Sequence, residues 1–478
     1  MAGATASGEQ GWSSRTAFIL AAVGAAVGLG NIWRFPTLAG ENGGGAFVLV
    51  YIGFVVLLGL PLVLSEIMLG RAGGSDAINS MRNVAAQSGK SSRWSGVGAL
   101  QITAGFLILS FYSVVAGWVI NYVYLSGADF LGALISGDPF AVAFNGENQE
   151  QITGHMGALF ADPVRLIFLH VLFMGATVGI VASGVHDGIE KAAKWLMPAF
   201  FVLLVVITIY GAFTGDFARA VSFMFTPDFS KITPVVLNEA LGQALFSLSL
   251  AAGGLLTYGA YVGKDVNLAP TAGLIALADT TVAILAGLMI FPIVFAVGLD
   301  PAGGPALIFQ TLPVAFNVMP GGALVGFVFF ILIFFAALTS SISLLEGPTA
   351  WTIDRFGWGR KKAAVIVGAV AWLIGVACAL GYNVWSDVRL LGFWNIFADT
   401  DILDTLDGFT GKIMLPLGAL LVSVFVGWKA DANMVKAQSG LSDGMFVIWR
   451  FLVAWAAPIA VTLVLVFGLL PGLLGNRA

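Results

Sequence analysis

Groups able to bind ions or polar solutes recur in this sequence inside stretches that are otherwise apolar. Near the start, Gly24-Ala-Ala-Val-Gly28-Leu-Gly30-Asn31-Ile-Trp-Arg34-Phe-Pro36 places three glycines within seven residues, with a proline shortly after. Near the middle, Gln243-Ala-Leu-Phe246-Ser247-Leu-Ser249-Leu-Ala-Ala-Gly253-Gly254 has the same weakness. A helix opened at such points frees carbonyls and amides, and apolar surroundings tolerate that only where the freed backbone lines a cavity. Carbonyl and hydroxyl oxygens together suit a hard cation such as sodium. A third group, Ala336-Ala-Leu-Thr339-Ser340-Ser341-Ile-Ser343, supplies four hydroxyls within five residues. Asp279 lies among small and hydroxyl residues (Ala278, Thr280, Thr281, Ala283) and reads equally as a cation ligand or as a neutral, hydrogen-bonded acid. Each feature has a blander alternative. Glycines four apart also let helices pack closely, and hydroxyls in apolar helices usually bond back to the preceding turn. The interleaving of Asn31, Ser247 and Ser249 with the glycines favours opened helices.

The elements that carry these groups must span a membrane. Of 478 residues 58% are hydrophobic and only 10% charged, with mean hydropathy +0.94, too few charges to coat a soluble protein of this length. Eleven apolar spans are read near 16–38, 45–70, 97–125, 165–184, 193–214, 238–262, 271–298, 322–352, 363–382, 408–428 and 446–471. The class is an all-α polytopic membrane protein forming one transporter domain over 1–478. The stretch 302–320, with Gly303, Gly304, Pro305, Pro313 and Pro320, reads as a helix-turn cap between spans. With the amino terminus inside, cytoplasmic segments hold 15 Lys/Arg and exterior segments 6, leaving Arg34 in the membrane. That bias sets the orientation, and an odd span count puts the carboxyl terminus outside, in a cell inner (plasma) membrane.

Charges at membrane depth must face a cavity or a partner. They are Glu66, Glu239, Asp279 and Glu346, with Arg34 and Glu41 nearer the exterior end. Glu66 is expected to accept hydrogen bonds from amides freed by a broken helix. Other functions find little support. One cysteine, Cys378, precludes an intrachain disulfide, and three histidines without metal-ligand spacing argue against zinc. His155 and His170 are placed by the outer end of the fourth span and His186 in a cytoplasmic loop, so no nucleophile–base pair is evident and an enzyme is not expected. No Gly-x4-Gly-Lys-Ser/Thr loop and no basic patch occur, so neither ATP-driven work by this chain nor nucleic-acid binding is expected, and no organic cofactor is implied.

Three motifs carry a resemblance. Asn31-Ile-Trp-Arg34-Phe-Pro, Glu41-Asn-Gly-Gly-Gly-Ala-Phe47 and Leu338-Thr-Ser-Ser-Ile342 resemble signatures of the neurotransmitter:sodium symporters, from about Trp12 to the last span, most closely in the bacterial amino-acid transporters. The resemblance implies two inverted five-helix repeats, 16–214 and 238–428, with helices 1 and 6 unwound around the substrate and 446–471 as an additional helix. It implies two sodium sites. The first uses Ala26, Asn31, Ser247 and Asp279 plus the substrate carboxylate; the second uses Gly24, Val27, Ala336, Thr339 and Ser340. The amino-acid head group would meet the amides of Leu29 and Gly30 beside Gly28, the Tyr112 hydroxyl, and carbonyls around Ala25 and Phe246. Ile108, Phe246, Ser249, Ala252, Ser340 and Leu344 would form the side-chain pocket, with Tyr112 and Phe246 as its lid. Arg34 and Asp407, near Gln243, would pair as an outer gate, and Trp12, Tyr261 and Asp354 match the inner one.

Departures from the family pattern sharpen these expectations. Amine transporters carry an aspartate where this chain has Gly28, so the substrate is expected to bring its own carboxylate. Ala252 replaces a bulkier residue, which implies room for leucine, phenylalanine or tryptophan. Ala283 stands where chloride-dependent members have a hydroxyl, and Asp279 supplies a fixed negative charge nearby, so transport is expected to be chloride-independent. The basic residue expected before Trp12 is Glu9, which leaves Arg15 as the candidate partner of Asp354. Gly188 and Pro198 match a motif associated with unwinding of the fifth span; a helix start and a simple kink is the alternative. Two rival functions remain: an amino-acid-gated receptor or channel without concentrative transport, and proton coupling through Glu66 or Asp279.

Overall fold

The computed structural model describes residues 11–469 apart from 303, 305 and 306. Among these, nine continuous helices are long and apolar enough to cross a membrane, from Gly45–Gly73 to Asp443–Phe467. Two further spans are broken. Arg15–Ala26 and Gly30–Glu41 meet at 46°, and Pro234–Ser247 is followed by Gly254–Ala260 after a non-helical step. These eleven elements correspond in order to the eleven expected spans, and the two breaks fall at the glycine clusters of the first and sixth. Glu9, Gly303 and Pro305 lie outside the described residues.

Local chemistry explains where the helices begin. Ser14, Asp162, Thr233, Asn267 and Asp401 each accept a hydrogen bond from an amide of the first turn they precede, and prolines follow Asp162 and Thr233 directly. Inside the spans, prolines come with wide turns. π-helical turns at Gly30–Arg34, Val55–Gly59, Leu307–Thr311, Thr410–Met414 and Leu452–Ala456 each precede, by one residue, Pro36, Pro61, Pro313, Pro416 or Pro458. A proline ring presses on the carbonyl four residues back and donates nothing to it; widening that turn relieves the clash.

Sequence boundaries miss in two ways. The third span runs unbroken over Ser95–Ser136, 42 residues, or about 63 Å, so it extends well beyond one bilayer core. Short helices at Ala77–Gln87, Gln149–Phe160, Phe217–Phe225 and Ala432–Ser439 occupy stretches read as loops. The 302–320 cap is a wide turn running into the helix Leu312–Val318. His170 is not at the outer end: it is fully buried within the fourth span, its Nε2 2.8 Å from Ser113 Oγ of the third. Spans three and eight pack along much of their length, the first half of span one rests on spans five, seven and eight, and the two halves of span six lie against span two. Both breaks are therefore buried at the centre.

Candidate functional site

The first break begins at Val27, which turns extended (φ −73°, ψ 110°) after Ala26. Its freed groups meet side chains of other spans. Ala25 O accepts from Ser249 Oγ (2.6 Å), Leu29 N donates to Tyr112 OH (3.2 Å), and Gly30 O accepts from Gln243 Nε2 (2.6 Å). A Cβ at Gly28 would stand 2.3 Å from Ser340 Oγ and 3.0 Å from Tyr112 OH, so a larger side chain there would have to turn both hydroxyls away.

The second break is strained. Ser249 and Ala251 adopt φ of +52° and +58°, a region that non-glycine residues enter only at a cost. Glu66 holds it: Oε1 accepts from Ala251 N and from Gln101 Nε2, both at 2.8 Å. This is the role its burial in an apolar span suggested.

Beside the breaks lie two oxygen clusters. In the first, the fully buried Asp279 accepts from Asn31 Nδ2 at 2.7 Å, from Ser247 Oγ at 2.5 Å and from Tyr51 OH at 3.3 Å. Tyr51 belongs to the second span and was not singled out in the sequence, where an aromatic residue in an apolar run reads as core. In the second cluster the hydroxyl run divides. Thr339 Oγ1 donates to Phe335 O and Ala336 O, both at 3.1 Å, while Ser341 and Ser343 bond back to Leu338 and Ser340. Ser341 Oγ also lies 2.8 Å from Thr177 Oγ1 of span four, while Ser340 reaches across to span one, to Gly24 O, Ala25 O and Val27 O at 3.2–3.4 Å. Back-bonding thus holds for three of the four hydroxyls, and the fourth joins the carbonyls opened in span one.

Between the clusters is a narrow cavity of about 20 Å³, lined by Ala26, Gly28, Leu29, Gly30, Ile108, Tyr112, Phe246, Ser249, Ala252, Ser340, Leu344 and Leu415. That is about the room of one water molecule, so the walls stand nearly closed on one another in this structure. Eleven of these twelve were expected; Ala25 and Ser247 stand just behind the wall, tied to Ser249 and Asp279. Leu415, from span ten, is the addition. One end is polar, with backbone of Gly28–Gly30 and the hydroxyls of Tyr112, Ser249 and Ser340. The other end is apolar, with Ile108, Ala252, Leu344 and Leu415. Phe246 covers the cavity beside Gly30.

The gates depart from expectation. Arg34 does not pair with Asp407: no ion pair within 4.0 Å joins them among the described residues. The Arg34 guanidinium lies 4.8 Å above the centre of the Phe246 ring and beside Gly411, a turn past Asp407. The outer ion pair joins Lys412 to Glu239 at 3.1 Å. On the inner side, Trp12 Nε1 donates to Tyr258 O (3.1 Å) and its amide to Tyr261 O (3.3 Å). Tyr261 OH donates to Glu346 (2.7 Å), which also pairs with Arg360. Asp354 accepts from Ser75 Oγ at 2.8 Å, and no ion pair ties it to Arg15 among the described residues. Burial pushes the neighbouring Asp76 carboxyl up to about 6, and Asp354 adds to the rise. The start of span one is instead fixed by Ser13, whose amide and hydroxyl donate to Glu190, itself 2.6 Å from Lys194.

The model of the sodium:neurotransmitter symporter family matches residues 9–133 and 155–471. An uncharacterised sodium-dependent transporter of Bacillus subtilis, YhdH, is 35% identical over 95% of this chain and 96% of its own length. An uncharacterised sodium-dependent transporter of Haemophilus influenzae is 34% identical over 96% of this chain and 98% of its own. Among solved structures, MhsT in complex with L-phenylalanine aligns with a TM-score of 0.86 at 42% identity, covering 96% of this chain and all of that one.

Proposed function

Because the chain belongs to the sodium:neurotransmitter symporter family and is a sodium-dependent symporter, not an enzyme, we propose that its solute is an apolar L-amino acid, taken up by alternating access without chloride. The observation that carries this reading is the cavity at the two helix breaks, polar at one end and apolar at the other. At the polar end, amides of the reopened first span face the space a carboxylate would fill, and helix amino ends favour negative charge. The carbonyls of the preceding half-helix and Ser249 Oγ are available to an ammonium group. The nearly closed apolar end would have to widen to admit a solute. Alanine at position 252, where relatives carry a bulkier residue, would then leave room for leucine, phenylalanine or tryptophan. MhsT, similar over its whole length, was solved with L-phenylalanine, which supports the same class.

Two sodium ions would travel with the solute. One would sit at Asp279, Ser247, Asn31 and the Ala26 carbonyl, completed by the substrate carboxylate. The other would sit at Thr339, Ser340 and the carbonyls of Gly24, Val27 and Ala336. Chloride independence follows from charge. The Asp279 carboxylate already lies among Tyr51, Ser247 and Asn31, and Ala283 offers no hydroxyl to an anion. The amino terminus would face the cytoplasm, the carboxyl terminus the exterior, and 16–214 and 238–428 would form the two inverted repeats.

The test is uptake of labelled L-amino acids into proteoliposomes under an inward sodium gradient, with choline replacing sodium and gluconate replacing chloride. Accumulation of apolar amino acids above equilibrium is expected with sodium and is expected to survive loss of chloride. Exclusive uptake of glycine or alanine, or a steep chloride requirement, would overturn the finer reading.

A further inference from the structure

We propose that Gly105 and Gly418, which do not line the cavity, set its depth by letting the unwound part of span six recede between spans three and ten, and that Leu415 sets its width. The inference rests on the amino-acid reading above and names what limits substrate size. On span three, Gly105, Ile108 and Tyr112 follow one another at three and four residues, so they share one face, and the latter two line the cavity. A Cβ at Gly105 would lie 2.3 Å from Ala252 O and 3.7 Å from Leu344 Cδ2, and both of those residues line the apolar end. On span ten, Leu415 and Gly418 are likewise three apart. A Cβ at Gly418 would lie 2.8 Å from the Ala251 Cβ.

The two glycines thus make a cleft, one turn deeper than Ile108 and Leu415, that seats Ala251–Ala252. The seated segment has little freedom to retreat. Ala251 already holds φ +58° and its amide is tied to Glu66. A methyl group added at Gly105 therefore pushes the Ala252 carbonyl toward the cavity and crowds Leu344, and at Gly418 it displaces Ala251 from behind. The apolar end becomes shallower in either case. Leu415 enters the cavity at a defined angle because the wide turn Thr410–Met414 and Pro416 reset the phase of span ten just before it.

The experiment is competition: labelled leucine uptake against unlabelled alanine, valine, phenylalanine and tryptophan, read as the ratio of inhibition constants. Gly105→Ala and Gly418→Ala are expected to weaken phenylalanine and tryptophan about tenfold relative to alanine and valine, since about one methylene of misfit in an apolar pocket discriminates by that order. Leu415→Ala is expected to favour tryptophan, and Leu415→Phe to disfavour it. Adding Leu415→Ala to Gly105→Ala is expected to recover part of the aromatic affinity. A ratio unchanged in any variant that still takes up leucine overturns the inference. So does a uniform loss across all four competitors, which marks the glycines as folding residues only. If neither glycine variant can be purified folded, the glycines are folding residues and the depth claim is overturned, while the two Leu415 variants decide the width claim. Failure of the unaltered protein to take up any amino acid with sodium would instead sink the functional reading itself.

Discussion

The two oxygen clusters beside the broken helices differ in kind. The one around Asp279 is built on a buried carboxylate held by an amide, a serine and a tyrosine from three different spans. The one around Ser340 has no formal charge: its oxygens are two hydroxyls and the carbonyls at the end of the first half-helix. A helix carboxyl end carries roughly half a negative charge, so the second cluster attracts a cation through many small dipoles and the first through one full charge. In a low-dielectric interior the full charge is the stronger and the more costly device. The difference teaches that the two sites should respond differently to mutation. Removing the single charge changes the electrical balance around the substrate; removing one hydroxyl among several neutral oxygens weakens one contact.

The largest expected effect is therefore Asp279→Asn. The side chain keeps its shape, so the fold should survive, while the ion at the first cluster loses its main counter-charge. Breaking one partner of a buried charge pair costs about 3–5 kcal/mol, roughly a hundredfold or more in affinity. Sodium-dependent leucine uptake should collapse at ordinary sodium concentrations, and whatever remains should become stimulated by chloride, with Tyr51, Asn31 and Ser247 surrounding the place the charge has left. Uptake in that variant that keeps its sodium half-saturation would show that the carboxylate is structural and that the contrast between clusters is false.

Much of this contrast could be read from the residues, and the exceptions are instructive. The glycine clusters announced both breaks because several glycines close together each cost a helix about 1 kcal/mol and leave the backbone free to open there. Glu66 was legible because a lone carboxylate in an apolar span needs donors, and a broken helix supplies them. Leu415 was not legible. It is one of several leucines in span ten, and the wide turn before it offsets the helical phase by about a quarter turn, so spacing from Asp407 points to the wrong face. Arg360 opens the basic run Arg360-Lys361-Lys362, where charge alone suggests no partner; its pairing with Glu346 depends on how two spans fold back on each other. Arg34 and Asp407 failed as a pair for the same reason. Both were assigned by motif, whereas the Phe246 ring captures the guanidinium face.

A smaller effect should come from Thr339→Ala. Thr339 Oγ1 lies with Ala336 O and beside the Gly24 position, where a cavity of about 10 Å³, enough for one water, opens toward span five. It touches no part of the substrate cavity, unlike Ser340, so its loss reads out the second cluster alone. One hydroxyl contact to a charged group is worth about 1.5–3 kcal/mol, so the sodium half-saturation should rise about tenfold to a hundredfold. Saturating uptake at high sodium should stay near that of the unaltered protein, and chloride should have no influence. A chloride response in this variant would erase the distinction between the two clusters.

The smallest effect expected is from Tyr51→Phe, and it is the sharpest probe of how the charged cluster works. The Tyr51 hydroxyl is 3.1 Å from Ser247 Oγ and 3.3 Å from Asp279 Oδ2, and its ring packs against Phe35 and Phe47. Phenylalanine keeps that packing and deletes only the hydroxyl. Asp279 retains Asn31 and Ser247, so a single weak hydrogen bond is lost, worth about 0.5–1 kcal/mol, and sodium half-saturation should rise about threefold. If the hydroxyl merely fills space, the value should not move. If the change matched that of Asp279→Asn, the carboxylate would depend on the tyrosine for its position, and the first cluster would be a cooperative network in which no single charge dominates.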